Sequence, residues 1–120
     1  MSILIKAIEK ASIDDSVKVI ILAAEGSIFS SGHNLKQITD AREQSEDGEP
    51  YFKQLFDQCS SLMQILVNCP KPVIAQISGI ATAAGCQLVA TCDLAYASSS
   101  AKFATPGVNL GLFCSTPMVA

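Results

Sequence analysis

The chain has a single histidine, His33, and only eight lysines and arginines against eleven acids. One imidazole cannot supply a metal-binding set. It would allow a Ser-His-Asp triad only around His33, whose loop offers no partner for it. The basic residues are scattered and the formal net charge is −3, so nothing would neutralise a run of phosphates and nucleic-acid binding is not expected. The five cysteines, at 59, 69, 86, 92 and 114, contain no C-x-x-C pair. They read as free thiols of a reducing, intracellular compartment, with Cys86 as a small core filler near a helix start. The phosphate-cradling G-x-x-x-x-G-K-[ST], the dinucleotide-binding G-x-G-x-x-G and the G-x-S-x-G nucleophile elbow are all missing.

Targeting and membrane signals are missing as well. The opening "MSILIK" is too short an apolar run for a signal peptide. Glu9, Asp14 and Asp15 come well before the first arginine, Arg42, unlike a transit peptide. The longest uncharged stretch, Pro72 to Cys92, is broken by Gln76, Ser78, Gly79, Thr82, Gly85 and Gln87. It reads as strand, turn and buried helix, so no membrane span is expected.

What is present is a 120-residue chain, 49% apolar, which bounds it to one globular domain over residues 1–120. A chain of this size buries roughly two-thirds of its unfolded surface. Ile3 to Ile13 reads as a short helix with Leu4, Ile8 and Ala11 on one side. "VKVIILAA", Val17 to Ala24, is β-branched and nearly all apolar, as a strand covered on both faces would be. "EGSIFSSGHN" reads as a loop, and "LKQITDAR" as the start of a helix that dissolves into charge, leaving Glu43 to Pro50 as a flexible loop.

Tyr51 to Asn68 carries the strongest helical periodicity, with Phe52, Leu55, Phe56, Cys59, Leu62, Met63 and Leu66 forming a core stripe ended by "CPKP". "VIAQIS", Val73 to Ser78, is a second buried strand, a helix begins near Ala84, and "DLAYAS" is a third strand led by Asp93. Strands alternating with helices predict an α/β fold of parallel β-α-β units. Ligands of such folds gather beyond the carboxyl ends of strands. Two glycine-containing loops occupy such places, "FSSGHN" and "SGIATAAG". One N–H from each, aimed at a common point, would make an oxyanion hole.

Three segments together, "IFSSGHNLKQI", "KPVIAQISGIATAAGCQLVATCDLAYAS" and "KFATPGVNLGLF", resemble the enoyl-CoA hydratase/isomerase family, the crotonases. The resemblance implies a crotonase-like fold of stacked β-α-β units with parallel strands, incomplete at both ends, so that residues 1–120 form a partial domain. It implies an acyl-CoA thioester as ligand, with no cofactor beyond the CoA of that ligand. It further implies fatty-acid metabolism, a mitochondrial location, and a trimer-based homo-oligomer for the full-length fold that is not expected of this chain alone.

Carried over residue by residue, the resemblance puts the two backbone oxyanion donors on His33 and Ala84. The CoA-binding stretch falls on His33, Asn34, Leu35 and Lys36, with Asn34 standing where close relatives often have Asp. The two hydratase glutamates fall on Gln87 and Gly107, neither of which carries a carboxylate. A neutral amide orients water but exchanges no proton near neutral pH. Hydratase activity is therefore expected to be weak or absent. Three readings follow. The first in rank is an acyl-CoA-binding protein without turnover, a pseudoenzyme. The others are a lyase- or isomerase-type enzyme with a different base, and a shortened, inactive product of marginal stability.

Overall fold

The computed structural model describes residues 1–43 and 48–111. Its elements are α1 (Ser2–Ile13), β1 (Ile20–Ala23), β2 (Ile28–Ser30), α2 (Leu35–Arg42), α3 (Glu49–Val67), β3 (Val73–Ile77), β4 (Ile80–Thr82), α4 (Ala84–Thr91), β5 (Leu94–Ala97) and β6 (Lys102–Ala104), followed by a 3-10 helix at Pro106–Leu110. The strands make two three-stranded parallel sheets, ordered β1-β3-β5 and β2-β4-β6. Each repeat of the chain therefore lays one strand in each sheet, turns a corner between them, and crosses back through helix. Ile20 pairs with Val73 and Ile74 with Leu94 in the first sheet, and Ile80 pairs with Lys102 in the second.

This differs in detail from the sequence reading. β2 and β4 lie inside segments read as loops. Each is only three residues long, too short to display an alternating pattern. The first strand is shorter than Val17 to Ala24, and its burial alternates, with Ile20 and Leu22 in the core and Ile21 and Ala23 outside. All four residues of β5 are exposed, so its apolar character does not mean cover on both faces in this chain. Of the segment read as a flexible loop, residues 44–47 lie outside those described, and Glu49 and Pro50 already begin α3.

The core is one cluster of Ile8, Ile20, Leu22, Leu62, Leu66 and Val73 between α1, α3 and the first sheet, and a second of Ala75, Ile77 and Ala81 between the sheets. The stripe of α3 splits along its length. Cys59, Leu62 and Leu66 are buried and Phe52 and Leu55 half-buried, whereas Phe56 is 60% exposed.

Two polar clasps hold these layers. Lys71 Nζ donates to the Ala11 carbonyl at 2.8 Å and to that of Asp14, so a cation closes the carbonyl end of α1. Asp93, read as leading the third strand, does more: its Oδ2 accepts the Val73 N–H at 2.7 Å while its own N–H donates to the Val73 carbonyl at 2.9 Å. That exchange fixes the start of β5 beside the start of β3.

Candidate functional site

The loop after β2 is shaped by Gly32, whose φ of +86° is open to glycine at no steric cost. Its N–H donates to Ser30 Oγ at 3.4 Å. Two residues on, Asn34 Oδ1 accepts from the Lys36 and Gln37 N–H groups at 3.0 and 3.4 Å and so starts α2 as an N-cap. His33 lies between these two constraints. It is half-buried, and its ring meets Phe56 edge-on, centroids 6.4 Å apart at 90°. Burial pushes its pKa below the ordinary 6.5.

The loop after β4 is shaped without glycine. Ala83 has φ +52°, the one positive φ at a non-glycine residue among those described. Such a conformation is strained for alanine and persists where the surroundings impose it. Here the Ala83 N–H donates to the Ala104 carbonyl at 2.9 Å, and its carbonyl accepts from Cys86 and Gln87, which starts α4. Sequence reasoning passed over Ala83, since its residue type argues against the conformation it adopts. Cys86 reads correctly as a filler: its Sγ–H lies against the Ala81 carbonyl at 2.9 Å.

The two loops touch. A Cβ built on Gly32 would lie 3.1 Å from Ala83 Cβ and 3.3 Å from Ala84 N. Thr82 Oγ1 donates to the Ser31 carbonyl at 3.3 Å. Behind them is a cavity of about 180 Å³. Ser30, Gly32, His33 and Ala84 line one side of it, and Leu4, Leu62, Met63 and Leu88 give it an apolar lining. Cys59 also lines it, with a thiol that burial pushes above its ordinary value. Among the described residues neither the His33 nor the Ala84 N–H donates to another backbone group. A wider groove of about 900 Å³ runs between α1 and α3, lined by Glu9, Lys53 and Asp57 among others, but neither loop reaches it.

The structure thus brings together His33 and Ala84 of the expected site, with Gly32 beside them. The other expected residues do not line the cavity. Asn34 is occupied as a cap, Leu35 is 66% exposed, and Lys36 Nζ pairs with Asp40 at 2.9 Å on the open face of α2. An exposed i,i+4 pair of this kind is worth only about 0.3–0.5 kcal/mol. Gln87 is half-buried in the first turn of α4, and Gly107 is in the 3-10 helix after β6. Among the described residues there is no group of three or more His, Cys, Asp or Glu able to hold a metal ion, and no helix is long and apolar enough to cross a membrane.

A family model described as enoyl-CoA hydratase/isomerase matches residues 1–119. Enoyl-CoA hydratase domain-containing protein 3, mitochondrial, of Xenopus laevis is 56% identical over 107 residues, which are 89% of this chain and 35% of that protein. The crystal structure of the human protein of the same name superposes with a TM-score of 0.85 at 51% identity, over 98% of this chain and 45% of the other. An enoyl-CoA hydratase/isomerase family protein from Silicibacter pomeroyi gives a TM-score of 0.87 at 47% identity, over 98% and 49%. The chain spans about a third of the length of the curated relatives it matches, and just under half of these solved chains.

Proposed function

The chain belongs to the enoyl-CoA hydratase/isomerase family and has its crotonase-like α/β fold, and from that premise we propose that it binds an acyl-CoA thioester and polarises the thioester carbonyl on the backbone N–H groups of His33 and Ala84. The observation that carries this reading is the meeting of the Gly32–His33 and Ala83–Ala84 loops at one cavity. A carbonyl oxygen accepting from both amides would gain charge as an enolate forms, and each well-placed donor contributes about 3–4 kcal/mol to such a state. The apolar lining suits an acyl chain, and the stretch His33, Asn34, Leu35 and Lys36 would meet the CoA portion, Lys36 as a cation for phosphate. CoA enters only as part of the ligand and no further cofactor is required.

Hydration needs one group to activate water and another to protonate carbon. Gln87 and Gly107, which match the family's two glutamates, supply neither, so water addition would be very slow. The relatives named mitochondrial support a mitochondrial location and a part in fatty-acyl metabolism. A trimer-based assembly is proposed for the full-length family fold and is not expected of this chain alone.

Titration calorimetry with butanoyl-CoA, against CoA alone, tests the reading. Ala84→Pro removes one donor at the first position of α4, where proline is tolerated. Affinity is expected to weaken by about 1–3 kcal/mol, the cost of one unpaired buried acceptor. Unchanged affinity in a folded variant removes Ala84 from the site, and absence of binding by the parent removes the function.

A further inference from the structure

We propose that the His33 imidazole is the proton-transfer group of this site, taking the α-proton of a bound acyl thioester and returning it to the same carbon. The inference rests on the acyl-CoA reading above and adds to it a base that neither glutamate position provides. His33 contributes to the cavity lining, and its ring is braced edge-on by Phe56 of α3 rather than free in solvent. If the His33 N–H holds the thioester oxygen, the α-carbon lies one bond beyond the carbonyl carbon, within reach of the same residue's side chain. A general base must come within about 2.6–3.2 Å of the proton it takes.

The surroundings suit a neutral imidazole. The other titratable group lining the cavity is the Cys59 thiol on α3; Met1 and Leu4 come from the α1 side, β2 brings Ser30, and α4 brings Ala84 and Leu88. No Asp or Glu lines it among the described residues, so nothing anionic favours the imidazolium. Nearby charges are committed elsewhere: Lys36 to Asp40 on α2, and Lys53 to Asp57 on the outer face of α3. Burial lowers the His33 pKa, which keeps the ring unprotonated and ready to accept at neutral pH.

The step balances without an oxidant or a co-reactant. The Cα–H bond breaks, the proton goes to the imidazole nitrogen, the electron pair of that bond becomes the enolate C=C, and the carbonyl π pair moves to the oxygen held by the two amides. The imidazolium exchanges its proton with water and returns one to Cα. The net reaction is solvent exchange of the α-hydrogens of an acyl-CoA.

The intact protein and butanoyl-CoA in D₂O test this by proton NMR, at saturating thioester so that affinity does not enter the rate. Deuterium is expected at the α-carbon, with a rate level at neutral pH and falling only as pH drops through the His33 pKa, which burial holds below the ordinary value. His33→Gln should slow exchange about 10²–10⁴-fold. His33→Ala should be slowed as much and regain part of the rate with free imidazole, a rescue that a merely structural histidine would not show. Exchange by folded His33→Gln at the parent rate overturns the proposal. Binding of butanoyl-CoA by the parent with no exchange above buffer also overturns it, while leaving the binding function standing. No binding by the parent overturns both.

Discussion

Replacing Gly85 with alanine sets two physical effects of opposite sign against each other. Gly85 is in the first turn of α4, and on helix propensity alone Gly85→Ala would stabilise the chain by about 1 kcal/mol. The structure predicts the reverse. A Cβ at this position would lie 2.2 Å from the Ser30 carbonyl oxygen, 2.8 Å from Ser30 Cβ and 2.9 Å from the Ser30 carbonyl carbon. Ordinary non-bonded contact needs about 3.5 Å, so α4 and β2 must separate by roughly 1 Å. Ser30 cannot swing aside cheaply, because it is the end of a three-residue strand paired to β4 through Ile28↔Ile80 and Ser30↔Ala81. Overpacking of this kind costs about 1–3 kcal/mol and more where backbone must move. Net of the helix gain, a loss of about 2 kcal/mol is expected, or a fall in Tm of about 8 °C. The separation also parts Gly32 from Ala84, so butanoyl-CoA affinity should fall with stability. Gly26→Ala is the control: nothing lies within 4 Å of its Cβ, and only its φ of +83° resists substitution. It should cost about 1–2 kcal/mol and leave binding alone. Thermal and urea melts read the stabilities. A Gly85→Ala protein as stable as the parent, or more so, would refute the close approach of α4 to β2.

Asp93→Ala should cost about 1.5–3 kcal/mol in urea melts, because the Val73 N–H loses a charged acceptor, whereas Asp93→Asn, which keeps an oxygen there, should cost less. Cys92, pushed to about 11 first by burial and then by Asp93, should alkylate only slightly faster in Asp93→Asn, since its burial remains. The lowered pKa of His33 predicts a pH-dependent component of stability: burial favours the neutral ring in the folded state, so this component is complete above the unfolded value near 6.5 and is lost as pH falls from there through the folded pKa. Comparing urea midpoints of the parent and His33→Gln between pH 8 and 5 isolates it, and parallel curves would refute it. Gln87→Glu with Gly107→Glu should raise hydration of a short enoyl-CoA at least about tenfold, with little from either change alone because paired acids act as a unit. Gly107 is not among the positive-φ glycines, so its backbone conformation does not bar the glutamate.

The long elements were legible because burial on one face writes a period into the sequence. α1 and α3 emerge within two residues at each end, and β3 within one. The second sheet was not legible. Its strands β2, β4 and β6 have three residues each, and they are defined by partners 20 or more residues away rather than by any local pattern. Phe56 was misread for a related reason. Helical spacing reports which residues share a face, but which turns of that face are covered depends on the elements packed there. Asp93 was legible as a start of β5 and illegible as a clasp, since its partner at Val73 is set by the parallel register.

The site was legible only through resemblance, and the reason lies in its chemistry. Backbone amides leave no side-chain code; a sequence can show only that the residues around them are small enough to let loops meet. Gly32 and Gly85 give that signal, because each allows an approach that a Cβ would obstruct. Ala83 gives the opposite signal, since alanine disfavours the φ of +52° it adopts, and the Ala104 carbonyl from β6 is what holds it there. A device of this kind does not depend on the residues at positions 87 and 107. Neither position carries a carboxylate, and the loops of Gly32 and Ala84 meet all the same. The residue type at position 33 is then the variable with most chemical consequence for the proposed site, because His33 lines the cavity together with Ala84. Drift there can change how a proton moves while leaving the carbonyl held. His33→Gln separates the two: it keeps the amide, keeps a polar side chain of similar reach, and removes the one group on that wall able to accept a proton at neutral pH.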